Sequence, residues 1–289
     1  MEVHRRRPYG QWVTGACVLL VLALLLRSLA RNPNLDWATV GEFFFNAKIL
    51  HGVVVTLELT VLSMVLSIAL AFVVALMCQS RNRVLALLGT AYVWFFRGVP
   101  LLVQILIWFN LALLFPRIVG IDTNTLISGF TAGLLGLAIA ESGYMAEIIR
   151  GGILSIPKGQ SDAALSIGLT RAQALRRIVL PQSVRVILPP TGNQFIGLLK
   201  ASSLVSAIGG SDLLTQAQLI YGQNFRVVAL LMVATIWYLI LVTIASVLQQ
   251  LLERRLDHGS RTGPRTRFWS SVGNNIVYSW GNARNGSAV

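Results

Sequence analysis

Residues Glu147 to Pro190 read EIIRGGILSIPKGQSDAALSIGLTRAQALRRIVLPQSVRVILPP. This is the one long polar, basic stretch in a chain otherwise built from apolar runs, one directly before it and one directly after. Such a stretch is a large loop on one side of a bilayer, and its own pattern is that of a folded loop. Thr170 stands three residues before Gln173, the spacing at which a Thr hydroxyl caps a helix and a Gln side chain reaches back. Gly168 is placed to end the preceding helix in a left-handed conformation, which glycine adopts at little cost. The spacing predicts two short helices, about Gly159 to Ile167 and Arg171 to Val179, with Pro181 stopping the second. Ala163, Ala164 and Ile167 fall on one side of the first, and small residues there let another surface come close.

Composition agrees with a membrane protein. The 289 residues are 55% hydrophobic and 12% charged, about half the charge of a soluble domain. That length has room for five or six spans of about 20 residues with their loops. The net charge of +13 would suit nucleic acid, but the basic residues are spread over short loops beside apolar runs, the positive-inside pattern. No nucleic-acid partner is expected. Cys17 and Cys78 lie inside apolar runs and read as packed thiols.

Working outward, His4-Arg5-Arg6-Arg7 precedes the apolar run Trp12 to Leu26, which extends to Ala30. It reads as an uncleaved first span, because Arg27 sits badly in a cleavage site; a cleavable signal peptide is the alternative. Residues 31–50 read as an external segment with an interfacial stretch. Gly52 to Cys78 is the second span. Val84 to Phe96 is aromatic and expected partly at the inner interface. Arg97-Gly98-Val99-Pro100 opens a third span to about Phe115, and residues 116–125 make an external turn. Leu126 to Ile149 is the fourth span. Val186 to Ile208 is the fifth, expected to break at Pro189-Pro190 and Gly192. Gly209 to Phe225 reads as external and polar, and Val227 to Leu252 as the sixth span. The tail from Asp257 to Val289 has the composition of a disordered segment. With both termini cytoplasmic, eighteen of the 24 basic residues lie on inner segments, as the positive-inside rule asks. The expected division is 1–50 for the basic start, first helix and external segment, 51–256 for the membrane domain with its loop at about 150–185, and 257–289 for the tail.

The loop also carries a family resemblance. Asp162-Ala163-Ala164, three residues, Gly168, nine residues, Ile178-Val179-Leu180-Pro181 resembles the EAA signature of the membrane subunits of ABC importers, which runs E-A-A, three residues, Gly, nine residues, I-x-L-P. Every spacing agrees, and Asp162 in place of Glu keeps the charge with a shorter reach. Phe96 to Gln104 (FRGVPLLVQ) is similar to F-R-G-T-P-L-L-V-Q of the polar amino acid branch. Gly143 to Gly152 (GYMAEIIRGG) looks like its G-A-Y-x-A-E-I-x-R-G-G. Gly192 to Phe195 with Leu199 to Leu204 resembles G-N-E-x with L-K-D-T-S-L, although Ala201 replaces the acid. Glu253 to Leu256 matches the usual end of the last helix.

The resemblance covers roughly residues 50–256. It implies an all-α integral membrane protein, a five-helix permease core with one extra N-terminal helix. It implies an amino acid importer subunit in the bacterial cytoplasmic membrane, paired with a second permease as homodimer or heterodimer. Two ATPase subunits and an external amino-acid-binding protein would be its partners. Coupling to the ATPase falls to Asp162, Ala163, Ala164, Gly168, Leu169, Ile178, Leu180 and Pro181. A plain amphipathic hairpin on the membrane surface is the alternative for this loop.

No Gly-x-x-x-x-Gly-Lys-Ser/Thr phosphate loop occurs, so ATP and Mg are expected on the partner and no cofactor on this chain. His4, His51 and His258 form no metal-ligand cluster, and no nucleophile–base–acid set is visible, which argues against an enzyme. Charged residues inside spans are costly and face cavities or partners. Glu141 ranks first as a substrate-path residue, deep enough to meet an ammonium group. Asn193 and Gln194 follow, beside the two prolines, since interrupted helices expose backbone groups that transport sites use. Glu58 and Lys200 complete the set; Lys200 either binds a carboxylate, snorkels or pairs with an acid. For each, a structural ion pair or hydrogen bond is an equal alternative. A secondary transporter or channel not driven by ATP is the leading rival, and it needs no folded cytoplasmic hairpin.

Overall fold

The computed structural model describes residues 9–32 and 35–257. It falls into two units. The first reaches Gln249 and holds nearly every described element. The second, from Gln250, is described only as helix, to Asp257. The expected N-terminal basic segment and the C-terminal tail lie outside the described residues.

Helix α1 (Tyr9–Ala30) presents exposed Val and Leu side chains between Val13 and Leu25. Its apolar centre, Val13–Leu25, is shorter than a full span. A short α2 (Trp37–Phe44) is capped by Asp36, which accepts from Thr39 N at 3.2 Å. Asp36 also takes an ion pair from Arg226. The Phe44 ring stacks on Trp237 with centroids 5.1 Å apart, and Trp237 Nε1 donates to Phe44 O at 2.9 Å. These contacts tie α2 to α13 (Val227–Asp257).

Among the described residues, three helices are long and apolar enough to cross a bilayer: α3 (Ala47–Cys78), α8 (Gly129–Leu154) and α13. The second expected span therefore begins five residues earlier than Gly52, where the Asn46 side chain caps α3 through Lys48 N at 2.9 Å. At 32 residues α3 is about 48 Å long, well beyond the hydrocarbon core of about 30 Å.

The third expected span, from Arg97 to about Phe115, is not one helix. Two helices, α4 (Arg83–Gly98) and α5 (Leu101–Phe109), meet at 99°, and α4 contains the aromatic stretch Val84 to Phe96. Pro100 has no N–H to continue α4, and the residue before a proline is driven out of the helical region. Val99 accordingly sits at φ −85°, ψ 130°. At 9 residues α5 is about 13 Å long, too short to cross alone. After it, α6 (Leu111–Leu114), a hairpin β1 (Arg117–Ile118) and β2 (Ile121–Asp122) in antiparallel register Arg117↔Asp122, and α7 (Thr123–Leu126) make the connection.

Helix α8 is the centre of the membrane domain. Its span is 61% buried against 33% and 28% for the other two. Glycines allow this packing: a Cβ at Gly136 would stand 2.7 Å from Ile105 of α5, and one at Gly152 2.3 Å from Ile187. Leu59, Ile105, Leu137 and Met145 fill the core around α8.

The fifth expected span differs most. Helix α11 (Leu180–Ala201) continues through Pro189 and Pro190 without interruption. The prolines withdraw the N–H groups that would reach Arg185 O and Val186 O, a loss that membrane helices tolerate when neighbours compensate. The irregular turns lie at the two ends instead: a π-helical turn (Leu175–Val179) before α11 and a 3-10 helix (Ser202–Ile208) after it. Residues 209–225, expected to be external and polar, are mostly helical. They form α12 (Leu213–Asn224), which buries Leu213, Ala217 and Ile220 in a second core with Leu199, Leu230 and Val233.

Candidate functional site

The Glu147–Pro190 stretch folds as a double-capped hairpin. Helix α9 (Lys158–Ser166) ends at Gly168, whose φ is +86°. Leu169 N donates to Ala164 O at 3.1 Å and Gly168 N to Leu165 O at 3.0 Å, the paired bonds of a Schellman end. Two residues on, Thr170 opens α10 (Arg171–Ala174) with a complete capping box: Gln173 N donates to Thr170 Oγ1 at 3.3 Å, and Thr170 N to Gln173 Oε1 at 2.9 Å. Both ends of the turn are thus fixed by local bonds. Ala164, Ala174 and Val179 are buried on the inner side of the hairpin.

The three residues expected on one face of α9 divide. Ala164 is 3% exposed and packs inward, whereas Asp162, Ala163 and Ile167 face out, Ile167 at 77%. Arg171, Arg176 and Arg177 are exposed beside them.

Pro181 does not stop the second helix. It sits in the first turn of α11, directly behind the π turn Leu175–Val179. In an uninterrupted α-helix its ring would meet the carbonyl of Arg177. The π turn widens the backbone at that place: Leu180 N donates to Leu175 O, five residues back. Ile178 and Leu180 are half-buried along this connection. Helix α10, the π turn and α11 follow one another without a break, and α9 joins them through the capped turn at Gly168.

Helix α11 carries Gln194. Its Nε2 donates to Glu141 Oε1 of α8 at 2.8 Å, so two of the substrate-path candidates meet. Asn193 turns the other way: Gln249 Nε2 of α13 donates to Asn193 Oδ1 at 3.2 Å and to Pro189 O at 3.3 Å. Glu58 and Lys200 are exposed and are not brought to Glu141's cavity.

That cavity, of about 150 Å³, lies where the α4–α5 break meets α8 and α11; Leu101, Gln104, Glu141, Tyr144 and Ala201 are in its wall. Gln104 and Tyr144 had not been singled out as path residues. The available signal was an amide inside the apolar run LLVQILIWF directly after a proline. Gln104 is 4% exposed. Its Nε2 donates to Phe96 O at 3.0 Å and Val99 O at 2.9 Å, two carbonyls that α4 leaves open as it ends. Tyr144 Oη donates to Arg97 O at 3.5 Å, and the Arg97 guanidinium lies 5.3 Å from the centre of the Tyr144 ring. Two turns below Glu141, Glu147 and Arg150 form a bidentate pair at 2.7 and 3.0 Å.

A predominantly helical domain with a bent pair of apolar helices, a cavity at that bend and a capped polar hairpin is that of a transport permease. The chain belongs to the family described as "Binding-protein-dependent transport system inner membrane component", which matches residues 67–258. The family is the permease subunit of ABC importers; the ATPase is a separate subunit. The chain is therefore an inner-membrane protein without a catalytic role of its own.

It is 37% identical over 266 residues to "Arginine transport system permease protein ArgU" of Corynebacterium glutamicum, covering 90% of this chain and 84% of the relative. It is 36% identical over 233 residues to "L-cystine transport system permease protein TcyB" of Bacillus subtilis, covering 80% and 96%. Among solved structures, "Crystal structure of an amino acid ABC transporter with histidines" superposes with a TM-score of 0.66 at 37% identity, covering 73% of this chain and 95% of that one.

Proposed function

We propose that this chain forms the substrate path of an ATP-driven amino acid importer and that its hairpin is the lever worked by a separate ATPase. The relatives named for arginine and cystine transport support an amino acid as cargo. Two ATPase subunits, which bind ATP and Mg, sit beneath a pair of permeases, and an external binding protein delivers the substrate. The hairpin lies in the cytoplasm, as do both chain ends. The observation that carries this reading is continuity. The exposed knuckle of α9, Asp162-Ala163 and Ile167, is fixed by caps at Gly168 and Thr170 and joins α11 without a flexible break. From Leu180 to Gln194 the helix climbs about 21 Å. A push at α9 therefore arrives at the Gln194–Glu141 contact.

The test is substitution of Gly168 by aspartate. A side chain there must adopt φ +86° and adds charge at the docking face. Uptake in proteoliposomes holding all partners is expected to vanish while the permease stays in the membrane. Normal substrate-stimulated uptake in that variant contradicts the lever. Transport by the purified chain with no ATPase present would instead place it with secondary transporters or channels.

A further inference from the structure

Helix α1 is uncovered on every side. Its valines and leucines from Val13 to Leu25 are 50–66% exposed, so no other described element packs over them. Its chemistry changes sharply at the C-terminal end. Arg27 and Arg31 stand one turn apart, on the same stripe as Leu20 and Leu24. With Leu24, Ser28 and Asn32 they line a groove of about 480 Å³ that is open to the side. Two guanidiniums, a hydroxyl and an amide make this wall rich in donors, and it contains no carboxylate. The sequence holds no Asp or Glu from Val3 to Leu35. Arg226 shows the contrast: it is also expected outside, and it is neutralised by Asp36. The carbonyls at the end of α1 supply about −0.5 of charge, which leaves most of the charge of two arginines in place. Like charges at this spacing repel. A phosphate between them removes the repulsion, and its paired oxygens match the planar fork of a guanidinium.

Depth points to the source of that phosphate. The apolar centre Val13–Leu25 is about 20 Å long, against a hydrocarbon core of about 30 Å. A helix this short draws Arg27 toward the lipid headgroups, where an unpaired charge loses hydration. We infer that the C-terminal end of α1 binds an anionic phospholipid, its phosphate between Arg27 and Arg31 and its acyl chains along Leu20 and Leu24. A zwitterionic lipid fits less well, because its own cation enters a groove that already holds two. The site is separate from the hairpin and from the Glu141 cavity, so it stands or falls independently of the lever.

The experiment uses the complete transporter, permease with its ATPase, in nanodiscs of phosphatidylcholine containing about one-fifth phosphatidylglycerol. A trace of phosphatidylglycerol with a diazirine on its acyl chain near the glycerol is added to one sample, and phosphatidylcholine with the same label to another. After irradiation, adducts on residues 13–32 are measured relative to those on the exposed middle of α13, Leu239 to Leu248. Phosphatidylglycerol is expected to label residues 13–32 at least about fivefold more than phosphatidylcholine does. Replacing both arginines, Arg27→Gln with Arg31→Gln, should bring the two lipids to within about twofold. Inorganic phosphate, compared with chloride at equal ionic strength, should leave the preference in place. Equal labelling by the two lipids in the wild-type transporter overturns the inference without recourse to any variant. A preference that persists in the double variant overturns it as well. Loss of the preference in phosphate marks a site for a free anion and overturns the assignment to a lipid.

Discussion

Glu141 is costly where it stands. A carboxylate in the middle of a span survives by facing a cavity or a partner, and it does both here, with the Gln194 amide at 2.8 Å. Replacing it with glutamine keeps the shape and removes the charge. In Glu141→Gln, ATP-dependent uptake is expected to fall tenfold or more while the amount of ATPase that co-purifies stays unchanged; unchanged transport and apparent affinity would make Glu141 structural. Gly168 holds a left-handed backbone. Asparagine and aspartate both visit that region, so the two variants differ by charge at the docking face: Gly168→Asn should retain most of the uptake that Gly168→Asp loses, measured side by side in proteoliposomes. Glu141 and Gln194 were each legible as polar residues in apolar runs. Their meeting was not, because they are 53 positions apart and only the packing of α8 on α11 joins them. Gln104 stayed hidden for a similar reason: an amide reads as neutral until the break it caps is known.

Among the elements, the hairpin was the most legible, since its caps are local. Thr170, Gln173 and Gly168 act through neighbours within six residues, and sequence spacing records such bonds directly. Prolines were read less well. A proline in sequence says that one N–H is missing, not how the chain absorbs the loss. Pro181 starts α11 behind a π turn, Pro189 and Pro190 are carried inside it, and Pro100 makes the real break. The π turn gives a prediction of its own. Pro181→Ala restores an N–H and removes the ring, so the Leu175–Val179 turn relaxes toward α-helix, rotating α9 by about 100° relative to α11. Substrate-stimulated ATP hydrolysis should drop several-fold in Pro181→Ala although the ATPase still binds; unaltered stimulation would show that the π turn does not set the hairpin's orientation. Between α8 and α5, Gly136→Val places a side chain within 2.7 Å of Ile105. Overpacking of this kind costs about 1–3 kcal/mol, and a lower melting temperature in detergent is the expected readout.

For the molecule as a whole, composition and the positive-inside pattern were enough to announce a helical membrane protein, and the family match over residues 67–258 takes in the hairpin, the cavity and the last helix. The route of the chain was less legible. Hydropathy marks a segment as apolar but not as straight, so the right-angled α4–α5 pair and the buried face of α12 emerged only from packing. All of these parts serve one claim, that force enters at α9 and leaves at the cavity. A photoreactive amino acid at Ala163, an exposed position beside Asp162, tests it directly in membranes containing the whole transporter. Irradiation is predicted to yield a covalent adduct with the ATPase subunit that changes in yield when ATP is added. If the position instead reacts with a membrane-impermeant probe from outside the cell, and no ATPase adduct forms, the account is wrong.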